Sequence, residues 1–137
     1  TKAELGKYGY SRGHRPDKKQ ITVGISQLSA PMNIPVGLTV QSGNINDQTH
    51  FKSTFLQVCS MLKENSRVVF DKGGQSKDNL DLVLAHKMKY LSAKKLNLSD
   101  DKRIKTFAKS ASNCVDAEKG IYGEIIEYPS RVDCFFF

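Results

Sequence analysis

The stretch VVFDKGG, residues 68–74, decides how the chain is read. Three apolar residues run into an acid, Asp71, and the chain turns at once on Gly73 and Gly74. An apolar run of this length bounded by glycines reads as a buried strand. A carboxylate at the end of a buried strand is costly to desolvate unless something compensates its charge. Three compensations are open: turn or helix amides, a basic side chain such as Lys72, or a metal ion. Gly73 and Gly74 ahead of a helix also suggest phosphate binding at a helix N-terminus. The stretch lacks the GK[ST] that a P-loop requires.

Outward from this point the periodicities give an element order. Downstream, Ser76 is the expected cap of a helix carrying Leu80, Val83, Leu84 and Met88 on one face, and KYLSA (89–93) reads as a short strand. Ser99, with Asp100 and Asp101 in the first turn and Lys105 and Lys109 near the end, frames another helix along its dipole. Upstream, Phe51, Phe55, Val58, Cys59 and Leu62 recur at helical spacing, with Asp47 or Thr49 as the expected N-cap. Before them Ile21, Val23 and Ile25, then Ile34, Val36, Leu38 and Val40, alternate with small or polar residues and predict an antiparallel pair. Pro35 cannot donate to a ladder and puts that end at an edge. Strands joined by helical crossovers run parallel. The fold class is therefore α/β, a mixed sheet flanked by helices. IYGEIIEY, a Pro-Ser turn and RVDCFFF predict a separate hairpin, so residues 1–109 and 110–137 are expected to be two parts.

Composition narrows the function. At 137 residues and 39% hydrophobic, the chain suits one core and is not of the disordered class. No apolar run approaches a membrane span and no signal peptide is seen. Cys59, Cys114 and Cys134 are widely spaced and indicate neither a zinc site nor a disulfide framework. The net charge of +7 is uneven: residues 1–19 carry +4, 20–86 zero, 87–109 +6 and 110–137 −3. Two basic blocks suit a polyanionic partner, nucleic acid first. Solvated surface lysines are the other reading of the same charges. The DNA-contact candidates are Arg12, Arg15, Lys18, Lys19, Lys94 and Lys95, which would touch phosphates; Tyr8 and Tyr10 lie within the first block.

Four stretches together add a family resemblance: YGYSRGHRPDKKQITVGI, NIPVGLTVQSGNINDQTHF, RVVFDKGGQSKDNLDLV and KYLSAKKL. In this order, over residues 8 to about 96, they resemble the DDE transposases of prokaryotic insertion sequences. The nearest branch has the motif Gly-Tyr-Ser-Lys-Asp-His-Arg-Pro-Asp-x-x-Gln. The resemblance implies a ribonuclease H-like fold, a triad of two Asp and one Glu holding two Mg²⁺ (or Mn²⁺) ions, and cutting and joining of DNA phosphodiesters. It makes Asp71, in its VVxDxG context, the second Asp of the triad, both catalytic and metal-binding. Implied with it are double-stranded DNA (element ends and target) as partner, no membrane, a homodimer in the full-length relative, and a prokaryotic cytoplasmic, nucleoid-associated setting.

The departures are specific. Gly13 stands where the family pattern has Asp. The family's first Asp lies upstream of GKYGYS, and no Asp precedes Tyr10 here. Glu118, Glu124 and Glu127 lack the helical Tyr-x-x-Arg-x-x-x-Glu surroundings of the closing acid, which stays unassigned. Asp17 and Asp47 belong to the quoted motifs, with turn and loop hydrogen bonding as their ordinary role. The chain is thus expected to be a central piece of the catalytic domain, with the first strand and closing helix missing, inactive alone. A non-catalytic DNA-binding remnant of a degraded element is the alternative. Without the central strand, the 20–40 hairpin and the 67–70 strand would lose their common neighbour. Ile21, Val23, Val68 and Phe70 would then be partly exposed, leaving the chain unstable or prone to aggregate.

Overall fold

The structure, a computed structural model, describes residues 4–11, 13–29, 31–107, 111–128 and 131–136. They form two compact units, Thr1–Lys95 and Leu96–Phe137. The first contains strands β1 (Ile21–Leu28), β2 (Ile34–Ser42), β3 (Arg67–Phe70) and β4 (Lys89–Ser92), with helices α1 (Asp47–Val58) and α2 (Lys77–Ala85). The second contains α3 (Leu98–Thr106) and strands β5 (Cys114–Asp116), β6 (Ile121–Tyr128) and β7 (Arg131–Phe136). Helix α3 thus groups with the strands that follow it, whereas composition places the division at 109/110.

The alternating segments pair as their periodicity predicts. β1 and β2 are antiparallel, with Val23 opposite Val40 and Ile25 opposite Leu38. The register slips between Ser26 and Gln27, where Pro35 lies opposite Gln27. A residue without an N–H is accommodated there by a bulge. β3 and β4, joined through α2, are parallel, with Val68 opposite Tyr90. The single mixed sheet expected from sequence is not formed: β1–β2 and β3–β4 are separate ladders. The class is α/β with small sheets.

Two helix starts differ from expectation by a residue or two. α1 is capped by Asn46, whose side chain accepts from Thr49 N–H at 2.8 Å, so Asp47 becomes the first helical residue. α3 is capped by Asn97, which accepts from Ser99 and Asp100 N–H while Asp100 accepts from Asn97 N–H, a reciprocal capping box. In both cases an asparagine just upstream reaches the first-turn amides before the expected cap does. α2 is capped by Ser76, as read. Lys109, the Pro129–Ser130 turn and Phe137 lie outside the described residues; β6 and β7 themselves pair antiparallel.

α1 covers both small sheets with two different surfaces. Toward β3–β4, Phe51 and Phe55 join Val68, Tyr90, Val83 and Met88 in the core, Val83 being fully buried. Toward β1–β2 the contact is small and polar. His50, 4% exposed, places Nε2 at 2.8 Å from Thr39 Oγ1, which lies 2.7 Å from Thr54 Oγ1. A Cβ on Gly24 would stand 2.6 Å from Thr54 Oγ1, so this strand position admits only glycine without movement.

Alternation then decides the opposite face. With Thr22, Gly24, Ser26 and Thr39 turned toward α1, the apolar set turns away: Ile25 is 66% exposed and Leu38, Val23 and Ile21 are also exposed. On β3 the apolar run is not buried on both faces as its composition suggests. Val68 and Phe70 are half-buried but Val69 is 68% exposed, beside an exposed Leu91. Among the described residues of the first unit, cover lies on one face only. We expect the chain to bind a hydrophobic dye and self-associate at micromolar concentration. Val23→Lys with Ile25→Lys should relieve both while changing stability by no more than about 0.5 kcal/mol each. A soluble monomer with a sharp melt and no dye binding would contradict this.

Candidate metal centre and nucleic-acid surface

Asp71 emerges from β3 into the turn formed with Lys72, Gly73 and Gly74, and it is solvent-exposed. Its charge is therefore not desolvated as a fully buried strand end would require. Its Oδ1 accepts from the N–H groups of Gly73 (3.0 Å) and Gly74 (3.4 Å), and its backbone carbonyl accepts from Ser92 Oγ at 3.3 Å. Of the three compensations open from sequence, the turn amides are present. Among the described residues, no basic side chain pairs with Asp71.

The turn brings a second carboxylate beside Asp71, that of Asp47, which sequence reading gave as a helix cap or a loop hydrogen-bonding residue within a family motif. A Cβ on Gly73 would stand 2.6 Å from Asp47 Oδ2 and 3.1 Å from Asp71 Oδ1. Both distances are to one point, so the two oxygens lie within about 6 Å of each other. A shared, partly hydrated divalent cation can span this distance with small side-chain rotations. Two exposed carboxylates supply the hard oxygen donors that Mg²⁺ or Mn²⁺ prefers, so the donor set fits such an ion. Among the described residues no group of three or more His, Cys, Asp or Glu could hold a metal. Glu118 lies in a turn, Glu124 and Glu127 lie on β6, and Glu124 pairs with Arg103 at 3.8 Å.

The motif stretches meet around this turn. Lys95 N–H donates to Gln75 Oε1 at 3.2 Å, bringing the end of KYLSAKK to DKGGQS. On the other side the backbone of Gly9 passes against Gly43, and Tyr10, Ser11, Gly13, Asn46 and Asp47 help line a polar depression of about 720 Å³.

The basic candidates are less uniform than their sequence suggests. Arg15 is held by Asp17 through both Nε and one terminal nitrogen, each at 3.0 Å. Each partner stabilises the other's charged form: the Asp17 carboxyl lies below its usual range, and Arg15 is raised. Both groups are fully exposed, so the pair orders the loop rather than adding stability. Lys18 lies 3.7 Å from Asp17, and Lys19 stands over the Tyr8 ring at 5.8 Å. Tyr10 is 88% exposed. Lys94 and Lys95 follow β4; Arg12 lies outside the described residues.

A carboxylate just beyond the carboxyl end of a parallel strand, as Asp71 is, in a cationic chain, is a feature of α/β proteins that handle phosphate esters with hard cations. The chain belongs to the transposase DDE domain family, whose model matches residues 1–131. No curated protein and no solved structure matches it. Proteins of that family generally use divalent metals. Among the described residues no helix is long and apolar enough to cross a membrane.

Because a Cβ at Gly73 would stand 2.6 Å from Asp47 Oδ2, the end of an exposed side chain that can rotate, Gly73→Ala should displace that carboxylate and lower stability by no more than about 1 kcal/mol. Chemical denaturation of the two proteins measures the difference. Equal midpoints would show that the turn opens without cost.

Proposed function

We propose that this chain is the central part of the catalytic domain of a DDE transposase of a prokaryotic insertion sequence, with Asp71 as a catalytic metal-holding carboxylate and duplex DNA as partner. Residues 1–109 belong to the ribonuclease H-like catalytic part and 110–137 begin a strand-rich insertion. The observation that carries the reading is Asp71 at the end of a parallel strand, in a turn met by the first turn of α1 and by the KYLSAKK segment. Open α/β sheets bind ligands beyond the carboxyl ends of their strands, which is where Asp71 stands relative to β3.

In this reading Asp71 holds a divalent cation, with Oδ1 steadied by the Gly73 and Gly74 amides so that the carboxylate keeps one orientation. Bound there, the cation supplies Lewis-acid activation of a phosphodiester. The protein's own residues bind and orient: Lys18, Lys19, Lys94 and Lys95, with Arg12, contact DNA phosphates, and Tyr10 offers an exposed ring to sugar or base. Arg15 contributes less while Asp17 holds it. The setting is cytoplasmic, at the nucleoid, and a homodimer is the working form of the full-length relative. A second reading, a non-catalytic DNA-binding remnant, is favoured by one observation: among the described residues no group of three or more acids or other metal-ligating side chains gathers at the turn.

Duplex binding should weaken steeply with salt, log K falling with log[salt] at a slope of about −4.5 for five phosphate contacts. Asp17→Asn should release Arg15 and steepen that slope by about 1. A gel-shift titration with no salt dependence, or no binding at low salt, would remove both readings. With two carboxylates, the 137-residue chain should bind DNA without nicking or joining it in Mg²⁺ or Mn²⁺. Metal-dependent cleavage lost in Asp71→Asn would show that a third acid is present and unrecognised.

A further inference from the structure

We propose that the depression between the start of β1 and the loop leading into α1 is a pocket for an unpaired nucleobase of a DNA strand, stacked on Tyr10 and read by the Gln20 amide. The inference rests on the reading that the chain binds DNA and goes beyond it, because a fully paired duplex offers no free base.

Backbone contacts set the walls. Gln20 N–H donates to Lys7 O at 2.9 Å, and Lys7 N–H donates to Gln20 O at 3.2 Å. Gly43 N–H donates to Leu5 O at 3.4 Å, and Ile45 N–H to Ser42 O at 2.9 Å. The backbones of Gly9, Gly43 and Gln20 meet so closely that a Cβ on either glycine would strike a carbonyl oxygen. The space these segments leave, about 720 Å³, is of the size that small-molecule pockets have.

The lining suits a base. Tyr10 contributes a ring that is 88% exposed, so an aromatic face is open for stacking. Ile21 and Val23 add apolar surface. Gln20 supplies recognition. Its side-chain nitrogen is shut off from solvent and, among the described residues, has no hydrogen-bond partner. Exchanging the nitrogen and oxygen of the amide would only bury an unpaired acceptor in place of an unpaired donor. A buried polar group without a partner costs stability, and a methionine would fill the same volume without that cost. A ligand atom completes the amide, and every nucleobase carries ring-nitrogen or carbonyl acceptors on its edge. Lys18 and Lys19 directly precede Gln20 and are exposed, so the phosphates flanking such a base meet cations of the same loop. This favours a base within a strand over a free one. A water held by Gln20 is the ordinary alternative, and it predicts no preference among DNAs.

The test uses the 137-residue chain and two duplexes, one carrying a single bulged fluorescent adenine analogue and one with the same analogue fully paired. Affinity is read by competitive gel shift and stacking by quenching of the analogue. We expect the bulged duplex to bind about 10-fold more tightly, with its fluorescence quenched on binding. Tyr10→Ala should abolish the preference and the quenching, and Tyr10→Phe should keep both. Gln20→Met should reduce the preference by about 3–10-fold while raising the urea midpoint, because it removes the unpaired amide. Lys18→Ala should weaken both duplexes equally. Equal binding of the two duplexes, or a preference unchanged in Tyr10→Ala, would overturn the pocket and leave the DNA reading standing. A preference intact in Gln20→Met, or a lower midpoint in that variant, would overturn the role of Gln20. A mononucleotide competing as well as the bulged duplex would overturn the strand as the source of the base. No binding of either duplex at low salt would overturn both this proposal and the DNA reading.

Discussion

Helix α1 is the piece on which the first unit depends, because it is seated twice and by opposite chemistry. On one side Phe51 and Phe55 enter an apolar core with Val83 and Met88. On the other, His50 and Thr54 meet Thr39 through hydroxyl and imidazole contacts of 2.7–2.8 Å, at a point where Gly24 leaves room for the helix. An apolar contact tolerates sliding, whereas a buried hydrogen-bond network fixes register. Together they set where along the sheet α1 begins, and therefore where Asp47 sits.

That polar seat has a consequence for the other face of the hairpin. Strand side chains alternate, so committing Thr22, Gly24 and Ser26 to the helix commits Ile21, Val23 and Ile25 to the opposite side. The same division recurs in β3, where Val68 and Phe70 join the core and Val69 faces away. The position of the polar residues, more than the position of the hydrophobic ones, decides which face is covered.

Much of this was legible in the sequence for local reasons. The strand pair, the parallel β3–β4 unit, Ser76 as a cap and the turn at Asp71 each depend on a few consecutive residues. The cap of α1 was missed by one position because Asn46, Asp47 and Thr49 are all competent caps, and only backbone geometry chooses among them. The nearness of Asp47 to Asp71 was not legible, since it is set by contacts across more than twenty residues. Asn79, which donates to Gln48 O and Gly74 O, was the available signal. It stands next to Leu80 and four residues before Val83, a polar side chain on the stripe that α2 buries, and such a residue needs partners from outside its own helix. The direction of the apolar faces was equally hidden, because period two says that one face is apolar without saying which face a helix will cover.

Charge completes the relation between the two ends of the first unit. A net excess of cations reads in sequence as a uniform attraction for phosphate, but the structure divides it. Asp17 engages Arg15 through two hydrogen bonds and stands near Lys18, while Lys19 lies over Tyr8, so part of the first basic block is spent on ordering its own loop. A guanidinium already held by a carboxylate must exchange one partner for another to meet a phosphate, and gains less by doing so than a solvated lysine does. The second block is organised differently: its Lys95 backbone is fixed to Gln75, the residue that also receives Gln48, beside the Asp71 turn. A polyanion drawn to Lys94 and Lys95 would thus be delivered next to two carboxylates, which repel it unless a cation lies between. Neighbouring carboxylates and ammonium groups also offset one another's field, so the second block attracts phosphate less than its count of lysines implies.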